Sequence, residues 1–80
     1  MNKKNLIGCL EKRKEKEDER FWFYIDDYIE LIKSRNKEYV TKWIKMDKDI
    51  SEEKIRTNSI GLDYWKLYLS IDNFILTNYV

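Results

Sequence analysis

The sequence predicts an all-α protein, built as a small bundle of three to four helices. Apolar side chains recur with the helical period in several segments, and the segment boundaries carry residue types typical of helix caps or stops. Eighty residues are the length of one domain, so we expect a single domain over residues 1–80 with a core of limited size. The alternative is an α+β fold that ends in a β-hairpin at residues 64–80.

The N-terminal part contains a purely charged stretch at residues 11–20. Opposite charges at helical i,i+4 spacing, such as Arg13 with Glu17 and Lys14 with Asp18, favour a solvent-exposed charged helix there, and a linker is the alternative. Apolar residues on both sides keep one heptad phase, which predicts one long helix whose middle lies in water. They are Ile7, Leu10, Phe21, Tyr24, Tyr28 and Leu31. The alternative to one long helix is an irregular charged N-terminus followed by a helix that starts near Asp18.

Residues 20–35 show the clearest helical periodicity in the sequence. At about 100° per residue, apolar side chains cover one half of the helix circumference and polar side chains mostly occupy the other. The apolar set comprises Phe21, Trp22, Tyr24, Ile25, Tyr28, Ile29, Leu31 and Ile32. Asn36 follows this segment, and we expect it to end the helix because asparagine adopts the left-handed conformation readily.

The middle of the sequence predicts two further helices. Apolar residues from Tyr39 to Met46 repeat the helical pattern, but Asp47 would fall on the apolar face, so this helix should end near Met46. Ser51 is a candidate N-cap for the next helix, because two glutamates follow it and carboxylates favour the positive end of the helix dipole. Gly61 is expected to end that short helix.

The last segment, residues 64–79, is compatible with a helix or with a hairpin. A polar stripe of helical period favours a helix, with Asp63 as its cap. Alternation of side chains from Trp65 onward favours strands, with a two-residue turn at Asp72 and Asn73. In a helix, Asp72 would stand in the middle of the apolar face, which is unfavourable unless its carboxylate finds a partner.

The composition restricts the cellular setting and the partners. Hydrophobic residues make up 42% of the chain and charged residues 39%, a balance expected of a folded, soluble, cytoplasmic protein without a membrane span. The net charge of +1 disfavours nucleic acid as the main partner, because binding to a phosphate backbone usually needs a strong positive excess. The only cysteine, Cys9, cannot form an internal disulfide, which fits a reducing compartment.

Residues that could catalyse a reaction or hold a metal are largely missing. The sequence contains no histidine, which excludes Ser-His and Cys-His catalysis and histidine-based zinc sites. A calcium-loop pattern beginning at Asp47 lacks the required glycine and bidentate glutamate, because Glu52 and Asn58 stand at those positions. The sequence therefore predicts no enzyme activity, no catalytic residue, no metal and no cofactor.

One aromatic residue in the polar half of the 20–35 helix is unexpected. Phe23 lies about 180° from the centre of the apolar face, between acidic residues on the same half. A large aromatic side chain among acids is typical of an interface anchor, with the carboxylates steering a basic partner. We therefore predict a partner-binding surface that consists of Phe23, Asp26, Asp27 and Glu30. The alternative is that Phe23 contacts another part of the same protein.

These observations predict a small protein-binding module, and a homo-oligomer is compatible with them. The residue usage is that of AT-rich codons, which together with the small size suggests an inhibitor or adaptor encoded by a phage or another mobile element. Residues 51–70 resemble a helix-turn-helix in outline. That resemblance implies an alternative function, a DNA-binding regulator whose recognition helix would present Asp63, Tyr64, Trp65, Lys66, Tyr68 and Asp72 to the duplex.

Overall fold

The computed structural model describes residues 1–79, and Val80 lies outside the described range. The helices in chain order are α1 (Lys3–Lys16), α2 (Trp22–Ser34), α3 (Lys37–Arg56) and α4 (Leu62–Asn78), with a 3-10 turn, Glu19–Phe21, before α2. The expected small all-α bundle is confirmed, because 85% of residues 1–79 are helical. The alternative hairpin is not supported, since α4 runs without a break through Asp72 and Asn73.

The chain changes direction between α1 and α2. The backbone becomes extended at Glu17, whose carbonyl accepts a hydrogen bond from the indole N–H of Trp22 at 3.0 Å. The prediction of one long helix through the charged stretch is therefore wrong, and so is the alternative of an irregular N-terminus. The bend lets α1 pack against α2 and bury Leu6 and Leu10, which a straight helix would leave without a partner.

Charged side chains hold this bend from the outside. Lys14 does not pair with Asp18 as expected but lies 3.0 Å from a carboxylate oxygen of Asp26 on α2. Asp18 instead accepts a hydrogen bond from the backbone N–H of Arg20 at 3.0 Å, which caps the 3-10 turn. The expected pair of Arg13 with Glu17 is present at 3.4 Å.

Asn36 has a different role from the predicted one. The periodic segment at 20–35 forms α2 as expected, but Asn36 has φ −74° and ψ 166°, which is extended backbone and not the left-handed stop. Its side-chain oxygen accepts a hydrogen bond from the backbone N–H of Tyr39 at 2.8 Å. Asn36 is therefore the N-cap of α3, and it satisfies a donor that the first helical turn leaves free.

α3 is a single helix where the sequence predicts two. The expected end near Met46 and the expected cap at Ser51 are both wrong, because the helix continues to Arg56. Asp47 is tolerated on the inner side because its carboxylate accepts a hydrogen bond from the hydroxyl of Tyr28 at 2.9 Å. Ser51 lies within α3 and is fully buried, and its small side chain suits the close approach of α3 and α4.

Two left-handed residues connect α3 to α4. Asn58 has φ 55° and Gly61 has φ 82°, a region that glycine adopts freely and asparagine tolerates. Gly61 does not end a helix but immediately precedes α4, which begins at Leu62. Asp63 lies inside the first turn of α4 and is not its cap, and its carboxylate forms an ion pair with Arg20 at 3.2 Å.

The core forms where the pair α1–α2 meets the pair α3–α4. Helices pack most closely within each pair, and α2 approaches α3 over a shorter length. The buried apolar side chains are Leu6, Leu10, Phe21, Ile25, Tyr28, Ile29, Ile32, Val40, Ile44, Leu67, Ile71, Ile75 and Tyr79. Among residues 1–79, no helix combines the length and the apolar character needed to cross a membrane.

Candidate functional site

An open cleft lies between α2, α3 and α4, and no residue of α1 lines it. Its volume is about 410 Å³, which is enough for a large side chain or a small ligand. Most of its wall is aromatic, and carboxylates stand among the rings. The lining residues are Tyr24, Asp27, Tyr28, Leu31, Trp43, Ile44, Asp47, Trp65 and Tyr68. We call this feature the aromatic cleft.

Edge-to-face contacts hold the rings of the aromatic cleft in place. The ring centre of Tyr24 lies 5.3 Å from that of Tyr64 and 5.5 Å from that of Tyr68. Tyr68 in turn lies 5.5 Å from Trp65, whose indole N–H donates to the carbonyl of Ile60 at 3.2 Å. Such aromatic pairs contribute roughly 0.5–1.5 kcal/mol each beyond the area they bury. The wall is therefore preorganised.

Below the rings, one hydroxyl lies between two carboxyl groups. The hydroxyl oxygen of Tyr28 is 2.9 Å from Asp47 Oδ2 and 2.8 Å from Asp72 Oδ1. Asp72 is fully buried, and its second oxygen, Oδ2, has no hydrogen-bond partner among the described residues. Three helices meet in this group, since Tyr28 belongs to α2, Asp47 to α3 and Asp72 to α4.

The geometry of this group requires an extra proton. A tyrosine hydroxyl has one hydrogen to donate, so it cannot donate to both carboxylates at once. Burial raises the pKa of Asp72, and the nearby Asp47 carboxylate raises it further, although the hydrogen bond from the Tyr28 hydroxyl acts in the opposite direction. Burial and the two nearby carboxyl groups also raise the pKa of Tyr28. Asp72 is therefore the carboxyl group that holds the proton when the protein is folded at neutral pH.

The carboxylates beside the rings make the aromatic cleft acidic. Asp27 is exposed at its edge and Asp47 is half-buried. Within residues 1–79, no lysine or arginine nitrogen lies within 4.0 Å of either carboxylate. Burial raises the pKa of Tyr68 to about 12, with smaller contributions from Tyr24 and Asp47, so its hydroxyl stays protonated.

The structure places the four predicted partner-binding residues in different surroundings. Phe23 is 70% exposed and its ring touches only the edge of Tyr24 among the aromatic rings, with the centres 5.8 Å apart. Asp27 belongs to the aromatic cleft. Asp26 faces α1 through its ion pair with Lys14, and Glu30 is exposed. The structure thus brings Phe23 and Asp27 to the cleft side and leaves Asp26 away from it.

α3 adds an exposed apolar stripe beside the aromatic cleft. The sequence pattern places Tyr39, Trp43 and Met46 with the core residues, but only their neighbours Val40 and Ile44 are buried. Trp43 is 49% exposed and Met46 is 54% exposed. With Ile50 one turn further on, these side chains follow a helical spacing along one edge of α3. We call Tyr39, Trp43, Met46 and Ile50 the α3 stripe.

Sequence reasoning did not identify the aromatic cleft as a site. Its aromatic residues come from three helices, and in each helix the apolar periodicity predicts them to be core residues. The signal that could have indicated it was the pair of acids, Asp47 and Asp72, that interrupt apolar faces. Among residues 1–79, no three side chains of His, Cys, Asp or Glu come together in an arrangement that could hold a metal ion.

Comparison with known proteins gives no match to a family model, to a curated protein or to a solved structure.

Proposed function

We propose that this chain is a small protein-binding module whose contact surface consists of the aromatic cleft, the α3 stripe and Phe23. The observation that supports the proposal is the exposure of large apolar side chains beside an already filled core. Phe23 and Trp43 keep 70% and 49% of their surface in water, on two different helices that border the same cleft.

Exposed aromatic residues of this kind typically become buried when a protein partner binds. Trp and Tyr are enriched among the residues that contribute most to binding, and they act from well-packed positions surrounded by polar groups. A contiguous apolar patch on a small protein is otherwise a liability, because it promotes aggregation. The Tyr24 ring connects Phe23 to the aromatic cleft, so one partner can cover both.

The same surface fits the class of inhibitor or adaptor that size and codon usage suggest. Such proteins act by occupying a surface of their target, and they need neither a deep pocket nor a cofactor. We do not extend the proposal to DNA binding. Asp72 is fully buried, and the rings of Tyr64 and Tyr68 pack against Tyr24 of α2, so α4 does not present these three side chains on one free face as a recognition helix would.

Site-specific photocrosslinking tests the proposal. The photoreactive residue p-benzoylphenylalanine replaces Phe23 in one variant and Trp43 in another, and each variant is irradiated in lysate of the cells that carry the gene. We expect one discrete adduct of the same mass from both positions, because both border one contact surface. The matched control carries the photoreactive residue at Ser70, an exposed position of α4 that does not line the cleft.

The identity of the adducts decides the outcome. A common protein partner at positions 23 and 43, absent at position 70, supports the proposed surface. Adducts of nucleic acid, or the same adducts at all three positions, would contradict it. The absence of any adduct at positions 23 and 43 in lysates that express the gene would contradict it as well.

A further inference from the structure

We propose that the aromatic cleft accepts the guanidinium group of an arginine side chain from the protein partner. This inference deepens the proposed function and rests on it, since it names the chemistry of the partner at one site. The structure supplies both parts of such a site, aromatic rings and two carboxylates that form no ion pair among residues 1–79.

The carboxylates provide the charge. Asp27 and Asp47 line the same cleft, and neither has a lysine or arginine nitrogen within 4.0 Å among residues 1–79. A carboxylate offers about four acceptor positions, and the Tyr28 hydroxyl uses only one on Asp47. Asp26, the neighbour of Asp27 on α2, is by contrast paired with Lys14. The cleft is thus a place where a cation from outside would find partners.

The rings provide the second part of the site. A cation over an aromatic face is attracted by the electron-rich π system, and arginine is the cation found there most often. This chain already uses such contacts, because Arg20 lies 4.4 Å from the ring centre of Phe21 and Arg35 lies 4.8 Å from that of Tyr39. In the cleft itself, Lys54 lies 5.8 Å from the ring centre of Trp65. Among residues 1–79 no lysine or arginine contacts the rings of Tyr24, Trp43 or Tyr68 in this way, so these rings are available to a cation from outside.

Arginine fits better than lysine for two reasons. Its planar guanidinium stacks on aromatic rings and donates two parallel hydrogen bonds to a carboxylate, whereas the ammonium of lysine is compact and strongly hydrated. The volume of about 410 Å³ also leaves room for the aliphatic stem of arginine beside Leu31 and Ile44.

An NMR titration of the full chain tests the proposal with a defined probe, acetyl-arginine methylamide. The indole N–H signals of the three tryptophans report on different places. Trp43 and Trp65 line the cleft, so we expect their indole N–H signals to shift as the probe is added. The shifts should saturate with a dissociation constant of roughly 1 mM. The signal of Trp22 should not move, because its N–H donates to Glu17 outside the cleft.

Neutral and cationic analogues separate charge from shape. Acetyl-citrulline methylamide has nearly the same shape but no charge, and we expect it to bind about tenfold more weakly or worse. Acetyl-lysine methylamide, with its side-chain ammonium free, should bind more weakly than the arginine probe. Equal binding of the citrulline and arginine probes, or equal shifts of all three indole signals, would overturn the proposal.

A pair of charge variants provides the matched control. Asp27→Asn should weaken binding of the arginine probe several-fold, because it removes a carboxylate of the cleft. Glu15→Gln removes the same charge from an exposed position of α1, which does not line the cleft, and it should leave binding unchanged. Both positions are exposed, so the melting temperatures should stay close to that of the parent protein. Equal losses in the two variants would contradict a specific site.

The two proposals fail in different ways. The titration needs no partner, so a negative titration together with a shared crosslinked partner at positions 23 and 43 rejects arginine as the occupant and leaves the proposed function standing. A saturable, Asp27-dependent titration without any protein adduct rejects the proposed function and leaves a cation-binding cleft.

Discussion

Two regions of the core differ in the kind of side chain that they contain. Between α1 and α2 the buried residues are largely aliphatic, with Leu6 and Leu10 on α1 and Ile25 and Ile29 among those on α2. Where α2, α3 and α4 meet at the aromatic cleft, tyrosine rings contact each other and two carboxyl groups lie at one tyrosine hydroxyl, beside aliphatic core residues such as Ile44 and Ile71. We call the first the aliphatic interface and the second the tyrosine–aspartate interface.

The difference separates what holds the bundle together from what specifies its arrangement. Aliphatic packing is favourable in proportion to the area buried and has little directional preference. A hydroxyl between two carboxyl groups is favourable only when all three helices bring their groups to hydrogen-bond distance. The first interface should therefore dominate stability, and the second should control pH response and the shape of the aromatic cleft.

The largest effect is expected in the aliphatic interface. Leu10→Ala removes a side chain that is almost completely buried and leaves a cavity, so it should lower the free energy of unfolding by about 2–5 kcal/mol. Urea unfolding followed by circular dichroism measures this. Ile60→Ala, at a fully exposed position before α4, should change the free energy by less than about 0.5 kcal/mol. A loss at Leu10 no larger than the loss at Ile60 would show that α1 does not pack as described.

A smaller effect is expected when the tyrosine–aspartate interface loses its hydroxyl. Tyr28→Phe keeps the ring but leaves Asp47 and Asp72 without their common partner, which should lower the free energy of unfolding by about 1–3 kcal/mol. In the Asp72→Asn background the same change should cost less, because the carboxyl pair is already removed. Additive losses in this double-mutant cycle would mean that the three groups do not act as a unit.

The pH dependence of stability should come from Asp72. Its pKa is raised in the folded state, so its stabilising contribution is fully present below the ordinary aspartate pKa of about 3.9 and is lost as the pH rises toward the raised value. Asp72→Asn keeps a neutral group of similar shape, and it should be more stable than the parent by about 1 kcal/mol at weakly alkaline pH.

Melting temperatures recorded across neutral pH measure this effect. The parent should lose stability between about pH 5 and pH 8 by more than the Asp72→Asn variant does. An Asp26→Asn variant controls for the general effect of losing one carboxylate. Parallel pH profiles for the parent and Asp72→Asn would show that Asp72 is ionised in the folded protein.

The smallest effect is expected at the outer edge of the aliphatic interface. Asp26→Asn breaks the ion pair with Lys14, whose side chains are partly exposed, so the loss should be no more than about 1 kcal/mol and should shrink further in salt. Unfolding in low and high salt measures it. A larger loss of unfolding free energy that does not depend on salt would mean that this ion pair, and not the aliphatic packing, is what mainly stabilises the contact between α1 and α2.

Much of the fold could be predicted from local patterns, and much of the candidate site could not. The 20–35 segment forms α2 because its apolar face is continuous, and the exposure of Phe23 follows from the same periodicity. The helix ends were less predictable, since Asn36 can cap a helix or stop one, and its neighbours decide which.

The sequence by itself determined that this chain forms helices with apolar faces, and that Asp72 would need a partner. Only the tertiary structure decided that α1 and α2 are separate helices and that α3 continues past Met46. α1 and α2 separate because the bend lets Leu6 and Leu10 become buried. α3 continues because the burial of Asp47 and Asp72 in apolar faces, which is unfavourable by itself, becomes acceptable when Tyr28 of another helix lies between them. The aromatic cleft exists for the same reason, because residues distant in sequence converge on it only after three helices have packed.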